Sequence, residues 1–346
     1  MKIMQTIAGG DVGGAEEFFV RLTRAFADKN LFQRVVTRPN RSRYSRLASV
    51  GVQCVELPFG GRLDWRTERR LATQIEDFNP DIVLSWMSRA TNITTKAIAR
   101  ASVKPVSIGR LGGYYDIKNY RRCDHLIGNT PDIVRYLSEC GWPQHRIHYV
   151  PNFVDTASGT LTARESLGLP VSAPVALAAG RLHSNKGFDI LLRALERADG
   201  MYLILAGEGD CRRGLEALAR RLGVTDRIRF LGWRDDIADL MASADMLVCP
   251  SRVEPLGNVL LEAWACRLPV VAAASQGPAW LVEDGVDGLL VPVEDAEALA
   301  TAMLLVASDK NLAAKLAAAG WKRFETEFNE DAVVARFVEM FEVVLR

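Results

Sequence analysis

Two glutamates that stand eight positions apart, Glu254 and Glu262, are the residues of this chain whose types and spacing point most clearly to chemistry. Glu254 follows the apolar segment 245–249, and Glu262 lies about a turn inside the helix predicted next. The start of a helix suits a phosphate, because its N–H groups are free and its dipole is positive. We therefore expect Glu254 beside a phosphate, where a sugar could lie, and Glu262 where a carboxylate can chelate a ribose diol. Two solvated acids are the alternative, but the helix around Glu262 is otherwise apolar. The turn between the glutamates holds three further candidate ligand contacts, Leu256, Gly257 and Asn258.

A pair of cations precedes these acids in the chain. Gly180-Arg181 ends a predicted strand, and Lys186-Gly187 opens the next helix, so the two side chains can converge. Departure of a nucleoside diphosphate leaves negative charge that two fixed cations would stabilise. Arginine can grip two phosphate oxygens, while lysine acts as a point charge. The alternative is a surface arginine and a helix-start lysine, but a lysine there opposes the helix dipole, which favours a functional reason.

A glycine loop, Gly9-Gly10-Asp11-Val12-Gly13-Gly14, joins the first predicted strand to the first predicted helix. Its spacing differs from Gly-x-Gly-x-x-Gly, and Thr37-Arg38 stands where a dinucleotide-binding domain has an acid. Both features argue against an NAD site. The loop by itself is a weak signal, and a purely structural tight turn is its alternative.

Strand and helix patterns alternate along the whole chain, which predicts two parallel sheets covered by helices. The predicted strands of the first series are 2–8, 33–37, 52–57, 81–85, 105–109 and 123–128, and those of the second are 174–178, 201–206, 227–231, 245–249, 269–273 and 288–291. Between the two series the chain is rich in small polar residues. We therefore predict a first domain at 1–150, a linker at 151–173, a second domain at 174–328, and a C-terminal helical segment at 329–346.

The spacing Glu-x7-Glu, with Pro-Leu-Gly after the first glutamate and Glu-Ala at the second, resembles the signature of the retaining GT-B glycosyltransferases of the large GT4 group. The resemblance continues, in order, through residues 151–155, 179–187, 207–209, 230–232, 269–271 and 287–291. One such motif would be weak, but the ordered set is strong. The resemblance implies an α/β chain of the GT-B fold, with two Rossmann-like, doubly wound domains that face each other across a cleft. It also implies that the C-terminal helix can cross back to the first domain.

The same resemblance implies roles for the candidate residues. Arg181 and Lys186 would stabilise the leaving diphosphate, Glu254 would bind hydroxyls of the transferred sugar, and Glu262 would bind ribose. The glycine loop would touch the donor phosphate through Gly13 and Gly14. Glu208 and Leu231 would lie near the nucleobase, although Glu208 could equally be a solvated acid at a helix start.

One departure from the family pattern concerns the first domain. Many relatives carry a histidine at the end of a first-domain strand, near the transferred sugar, but here segment 106–115 contains none. Arg110 is the candidate replacement, or the acceptor is handled differently. Other first-domain histidines are His125, in an apolar strand and interpreted as structural, and His145 and His148 near the hinge.

The reaction implied is transfer of a sugar, with its configuration retained, from a nucleotide-diphosphate sugar to a glycolipid or lipopolysaccharide-type acceptor, and a UDP-sugar is favoured. No nucleophile is evident, so we favour a front-face route in which the leaving phosphate helps to deprotonate the acceptor. We expect no cofactor and no essential metal, because no Asp-x-Asp ends a strand and no His/Asp cluster is present. The alternatives are a nucleotide-sugar epimerase or phosphorylase of the same fold, or a non-catalytic sugar-nucleotide-binding subunit.

Charge is spread unevenly, with a basic first domain and an acidic second one. The asymmetry points to an anionic partner for the first domain. An anionic membrane surface and an acidic glycan are the candidates, and no nucleic acid is expected. The basic residues that would bind this anionic partner are Arg38, Arg41, Arg43, Arg46, Arg62, Arg66, Arg69 and Arg70. The apolar residues Leu63 and Trp65 are interleaved with them.

The cysteines and the lack of a predicted membrane span bear on the location of the protein. Six cysteines without pairing or metal spacing favour the reducing cytoplasm, with peripheral attachment to the inner face of the membrane as an option.

Overall fold

The computed structural model describes residues 1–10, 13–61, 64–155 and 164–346 and divides them into two compact units. The first unit comprises Met1–Phe153 and Glu330–Arg346, and the second comprises Val154–Asn329. Asp11 and Val12 of the glycine loop, Arg62 and Leu63 of the basic segment, and residues 156–163 of the predicted linker lie outside the described residues.

In the described part of the first unit, seven parallel strands form a sheet in the order β3-β2-β1-β4-β5-β6-β7. The strands are β1 (Lys2–Ile7), β2 (Phe32–Thr37), β3 (Gln53–Glu56), β4 (Ile82–Trp86), β5 (Val106–Leu111), β6 (His125–Gly128) and β7 (Ile147–Tyr149). The helices that connect them are α1 (Gly14–Asp28), α2 (Arg41–Ala48), α3 (Trp65–Phe78), α4 (Met87–Arg100) and α5 (Pro131–Glu139). The sequence did not predict β7, because three residues are too few to show a strand pattern.

The second unit holds six described parallel strands in the order β10-β9-β8-β11-β12-β13. They are β8 (Val175–Ala179), β9 (Tyr202–Ala206), β10 (Ile228–Gly232), β11 (Met246–Cys249), β12 (Val270–Ala273) and β13 (Leu289–Val291). The helices are α6 (Phe188–Arg197), α7 (Arg212–Arg221), α8 (Ile237–Ala242), α9 (Asn258–Ala265), α10 (Gln276–Leu281), α11 (Ala296–Ser308) and α12 (Lys310–Arg323). The central strands β8, β11 and β12 are almost wholly buried, as sheets covered on both faces require.

The last helix, α13 (Glu330–Val344), is part of the first unit. Its aromatic residues pack edge-on against α1, since the ring of Phe26 lies 5.7 Å from that of Phe337 and 5.9 Å from that of Phe341. All three rings are fully buried. Large aromatic side chains contribute strongly to a core, so this contact anchors the C-terminal segment to the first sheet's helical layer.

Each sheet reverses its strand order once, between β1 and β4 in the first unit and between β8 and β11 in the second. Loops diverge at such a switch point, and open α/β sheets bind ligands there, beyond the carboxyl ends of the strands. The fold therefore marks one candidate region in each unit. None of the helices in the described ranges has the length and apolarity needed to span a bilayer.

Candidate functional site

In the second unit, the candidate residues gather beyond β8 and β11, the two strands at its switch point. The loops after these strands are tied together by backbone hydrogen bonds. Arg252 N donates to Asn185 O at 2.8 Å, and Val253 N donates to the same oxygen at 3.1 Å. This pairing holds the segment that carries Lys186 against the segment that carries Glu254, although 68 positions separate the two residues.

Lys186 and Glu254 form an ion pair at this point. Lys186 Nζ donates to Glu254 Oε2, and Ser251 Oγ donates to the same oxygen at 3.2 Å. The lysine side chain is 27% exposed and the glutamate side chain 11%. A Cβ atom on Gly180 would lie 3.5 Å from Lys186 Cε, so the lysine stem runs along that glycine. Ser251 was not singled out in the sequence, although it follows β11 by only two positions.

Arg181 lies on the same loop but does not join the ion pair. Its side chain is exposed, and within the described ranges its guanidinium has no hydrogen bond or ion pair. Its carbonyl oxygen accepts a hydrogen bond from His183 N at 2.8 Å. The structure therefore gives the two predicted cations different surroundings: Lys186 is held by a carboxylate, and Arg181 is exposed with no side-chain partner among the described residues.

The turn from Glu254 to Gly257 packs against α10 and is hydrogen-bonded to it. Gly277 N donates to Glu254 O at 2.7 Å, and a Cβ atom on Gly277 would lie only 2.6 Å from that oxygen. Leu256 is buried, and Gly257 is the N-cap of α9, so Asn258 opens the helix rather than capping it. A sequence gives no local sign that Gly277 supports a turn 20 positions earlier.

Glu262 lies in the second turn of α9, between the buried residues Leu261 and Ala263, and is itself half-buried. The apolar surroundings expected from the sequence are therefore present. Its carboxylate is on the same short helix that begins beside Glu254. The helix start, Glu254 and Glu262 thus occupy one region of the second unit.

The predicted nucleobase region lies beyond β9 and β10. Glu208 forms an ion pair with Arg212, which also bonds Glu216 at 2.9 Å. Leu231 is half-buried near the end of β10. Gly207, next to Glu208, lies close to the protein's own backbone, because a Cβ atom there would lie 1.9 Å from Gly180 O.

In the first unit, Gly13 is the N-cap of α1, and Gly14 is the first residue of that helix. The loop before them is fixed at Gly10, whose backbone N–H and carbonyl oxygen are both hydrogen-bonded by side chains. Gly10 N donates to Glu16 Oε1 at 2.8 Å, and Arg43 Nη2 donates to Gly10 O at 2.5 Å. A Cβ atom on Gly13 would lie 2.4 Å from Glu16 Oε2, so this glycine makes room for a carboxylate of the protein itself.

Glu16 and Arg43 were not predicted to touch this loop. Glu16 stands three positions after the N-cap, where glutamate often bonds a backbone N–H before the helix, and this signal could have been found. Arg43 was instead counted with the exposed basic residues. That assignment was wrong, since Arg43 is buried with Nη1 donating to Thr37 Oγ1 at 2.8 Å.

Arg110 is the penultimate residue of β5 and is enclosed in the first unit, with an exposed fraction of 3%. Its guanidinium carbon lies 4.6 Å from the ring centre of Phe18 and 4.7 Å from that of Trp86. Nη2 donates to Asn152 Oδ1 at 2.6 Å, while Nε is buried and has no hydrogen-bond partner in the part of the chain that the structure describes. Burial lowers the pKa of Arg110 to about 9, and the Tyr115 hydroxyl acts in the opposite direction.

The predicted site residues therefore fall into two groups. Arg181, Lys186, Glu254 and Glu262 belong to the second unit, whereas Gly13, Gly14 and Arg110 belong to the first. In the described ranges, no three His, Cys, Asp or Glu side chains are grouped so that they could hold a metal ion.

Two family models match the chain, one in each unit. The model described as "Glycosyltransferase Family 4" matches residues 12–158, and the model described as "Glycosyl transferases group 1" matches residues 173–309. Together they include every candidate residue named above.

Similar proteins agree with these matches. The lipopolysaccharide core biosynthesis glycosyltransferase LpsE of Rhizobium meliloti is 34% identical, with 98% of each chain covered. LpsD of the same organism is also 34% identical, over 99% of this chain and 98% of the relative. Among solved structures, Anabaena HepE in complex with UDP and glucose superposes with a TM-score of 0.86 at 23% identity, covering 99% of this chain and 100% of HepE. At that identity the likeness establishes the fold.

Proposed function

The chain belongs to the family 4, group 1 glycosyltransferases and has their GT-B fold, and we propose that it transfers a sugar from a UDP-sugar to a lipopolysaccharide-type glycolipid, with the anomeric configuration retained. The observation that carries the proposal is the partly buried ion pair of Lys186 and Glu254, which lies at the switch point of the second sheet and beside the start of α9. Helix starts at such points bind phosphates.

The charges around that pair suit a departing diphosphate. Glu254 neutralises Lys186 and keeps the ammonium group in one place. When a diphosphate binds, the ammonium group can donate to a phosphate oxygen while the exposed Arg181 adds a second cation. Fixed charges aimed at developing negative charge stabilise a transition state without reorganisation at the moment of reaction.

The carboxylates would then act as binding groups. Glu254, held by Ser251, accepts hydrogen bonds from hydroxyls of the transferred sugar, and Glu262 accepts them from the ribose diol. No covalent intermediate is required, because the leaving phosphate itself takes the proton of the acceptor hydroxyl on the face where the sugar is transferred. The bond from the sugar to the phosphate breaks as the bond to the acceptor oxygen forms, and because the acceptor oxygen attacks the same face that the phosphate leaves, the configuration is kept.

Relatives support the substrate classes. Two relatives that are 34% identical carry names that place them in lipopolysaccharide core biosynthesis. HepE has been solved with UDP-glucose as well as with UDP and glucose. These names support a UDP-sugar donor and a glycan acceptor of the lipopolysaccharide type for this chain.

Ligand binding and transfer test the proposal together. Thermal unfolding in the presence of UDP-, GDP- and ADP-sugars should show the largest rise in Tm with a UDP-sugar, because a ligand at about 100 times its Kd stabilises the native state by about 2.7 kcal/mol. Incubation with that donor and lipopolysaccharide core acceptors should give an α-linked product from an α-linked donor, with or without EDTA. Inverted product would refute retention, loss of activity in EDTA that Mg²⁺ restores would reveal a metal requirement, and epimerised sugar or release to free phosphate would favour the alternative enzymes.

An anionic membrane surface is proposed as a further partner of the first unit. Trp65 is 55% exposed, and the guanidinium groups of Arg66 and Arg69 lie 5.5 and 5.2 Å from its ring centre. Basic residues beside an exposed tryptophan suit a headgroup layer, and each contributes on the order of 1 kcal/mol near such a surface. Co-sedimentation with anionic vesicles should fall as salt rises and after Arg66→Ser and Arg69→Ser. Equal recovery with neutral and anionic vesicles would exclude this partner.

A further inference from the structure

Arg110 is a buried cation without a carboxylate partner in the described ranges. Two aromatic rings lie against its guanidinium, one neutral amide accepts from Nη2, and Nε finds no acceptor among the described residues. The carboxylate of Glu16, which also raises the pKa of Tyr115, is bound to Gly10 N instead. Buried charges in proteins are ordinarily paired, because desolvation of an isolated charge is unfavourable.

Arg34, in the same unit, is a buried arginine that does have a carboxylate partner. It too is buried over an aromatic ring, with its guanidinium carbon 4.8 Å from the ring centre of Phe78. Its Nε donates to Gln53 Oε1 at 2.7 Å, and its Nη1 donates to Asp77 Oδ2 at 2.7 Å. The difference between the two arginines is the carboxylate, which Arg34 has and which Arg110 lacks among the described residues.

The surroundings of Arg110 show two further unusual features at the carboxyl ends of neighbouring strands. Asn129, directly after β6, is buried, and no described residue donates a hydrogen bond to its Oδ1. Met87, directly after β4 and next to Trp86, has φ of 60°, a left-handed conformation that is strained for a side chain of its size. Orphaned polar atoms and strained backbone are typical of ligand sites.

We propose that Arg110 binds an anionic group, a carboxylate or a phosphate, that one of the two substrates carries. The inference rests on the proposed transfer reaction and adds to it the class of substrate. The planar guanidinium fork matches both anions, and the enclosing rings exclude water, which strengthens the contact. The anion has two possible sources: the transferred sugar, as a uronic acid, or the acceptor glycan, as a phosphorylated or carboxylated unit.

Thermal unfolding tests the binding group without any catalysis. In a protein carrying Arg181→Ala and Lys186→Ala, which lacks the two cations proposed to bind the diphosphate, glucuronate and inorganic phosphate should each raise Tm by about 1–2 °C more than glucose at equal ionic strength, and adding Arg110→Met should abolish this rise. Arg110→Met should itself keep or raise Tm, because it removes an uncompensated charge, whereas Arg34→Met, the matched control, should lower it. A loss of Tm at Arg110 as large as at Arg34, or anion effects that persist when Arg110→Met is added to the Arg181→Ala, Lys186→Ala protein, would overturn the inference.

Transfer assays identify the source of the anion. If the sugar carries it, the wild-type enzyme should use UDP-glucuronate at least tenfold better in kcat/KM than UDP-glucose. If the acceptor carries it, phosphatase or carboxyl-reducing treatment of the acceptor should lower kcat/KM at least tenfold. In either case Arg110→Gln should lose the preference, Arg110→Lys should keep part of it, and Arg34→Gln should keep all of it. Equal preferences in wild type and Arg110→Gln would overturn the inference while leaving the transferase intact, whereas absence of transfer from every UDP-sugar would instead refute the proposed function.

Discussion

The turn that carries Glu254 can be perturbed without touching any candidate catalytic side chain, through Gly277→Ala. The added Cβ atom would lie 2.6 Å from Glu254 O, 2.7 Å from Leu256 N and 2.7 Å from Leu256 O. All three are backbone atoms, so no side-chain rotation can relieve the clash. The whole turn from Glu254 to Leu256 must move away from α10, and the Glu254 carboxylate moves with it.

The size of the effect follows from these distances. An ordinary contact begins at 3.4 Å, so the turn must retreat by about 0.8 Å from its present 2.6 Å. Overpacking of this kind destabilises a fold by about 1–3 kcal/mol. Misplacement of catalytic groups by about 1 Å lowers rates on the order of a hundredfold. We therefore expect Gly277→Ala to stay folded with a lower Tm and to lose about two orders of magnitude in kcat.

The matched control is Gly214→Ala in α7, where an added Cβ atom meets nothing within 4 Å. It should keep full activity and gain about 0.5–1 kcal/mol of stability, because alanine is the better residue inside a helix. Urea unfolding and steady-state transfer kinetics measure both variants. Wild-type kcat in a folded Gly277→Ala would show that the position of this turn does not govern the reaction, and our account of Glu254 would fail.

Three further outcomes are expected. Lys186→Ala should lower kcat about a hundredfold or more, as removal of a preorganised charge does; a near-normal rate would refute its role. Glu262→Ala should mainly raise the KM of the donor, and Glu254→Ala should mainly lower kcat, so identical kinetic patterns would contradict the division of roles. Burial, with the charge of His125, lowers the pKa of His148 from 6.5 to about 4, so stability is full above pH 6.5 and declines as pH falls toward 4. After allowance for solvent exposure, urea unfolding at pH 5 should show about 1 kcal/mol less stability than at pH 7.5, a difference that His148→Gln should reduce.

The fold class could be predicted because its signals are local. Apolar runs of five or six residues alternate with amphipathic segments, and this periodicity predicted both parallel sheets. Each motif of the second unit is also contiguous in the sequence, so the family could be recognised from it and was confirmed by the family models. The short strand β7 was not predicted, because its three residues are recognisable as a strand only through their pairing with β6.

The roles of the glycines were harder to predict. A glycine in a loop indicates that other atoms lie close to its backbone, but the sequence does not show whether those atoms belong to a ligand or to the protein. Gly207 makes room for Gly180 O, and Gly13 makes room for the Glu16 carboxylate. These neighbours are parts of the protein itself, and they become visible only in three dimensions.

By itself, the sequence determined the alternation of strands and helices, the family, and the residue types available for chemistry. Only the tertiary structure decided which of those residues meet. It paired Lys186 with Glu254 across 68 positions and placed Arg110 against Phe18 and Trp86, with no carboxylate partner among the described residues. The physical reason is that periodicity and capping act between near neighbours in the chain, whereas burial and charge pairing depend on how parallel strands are ordered in the sheet, and many strand orders satisfy the same local pattern.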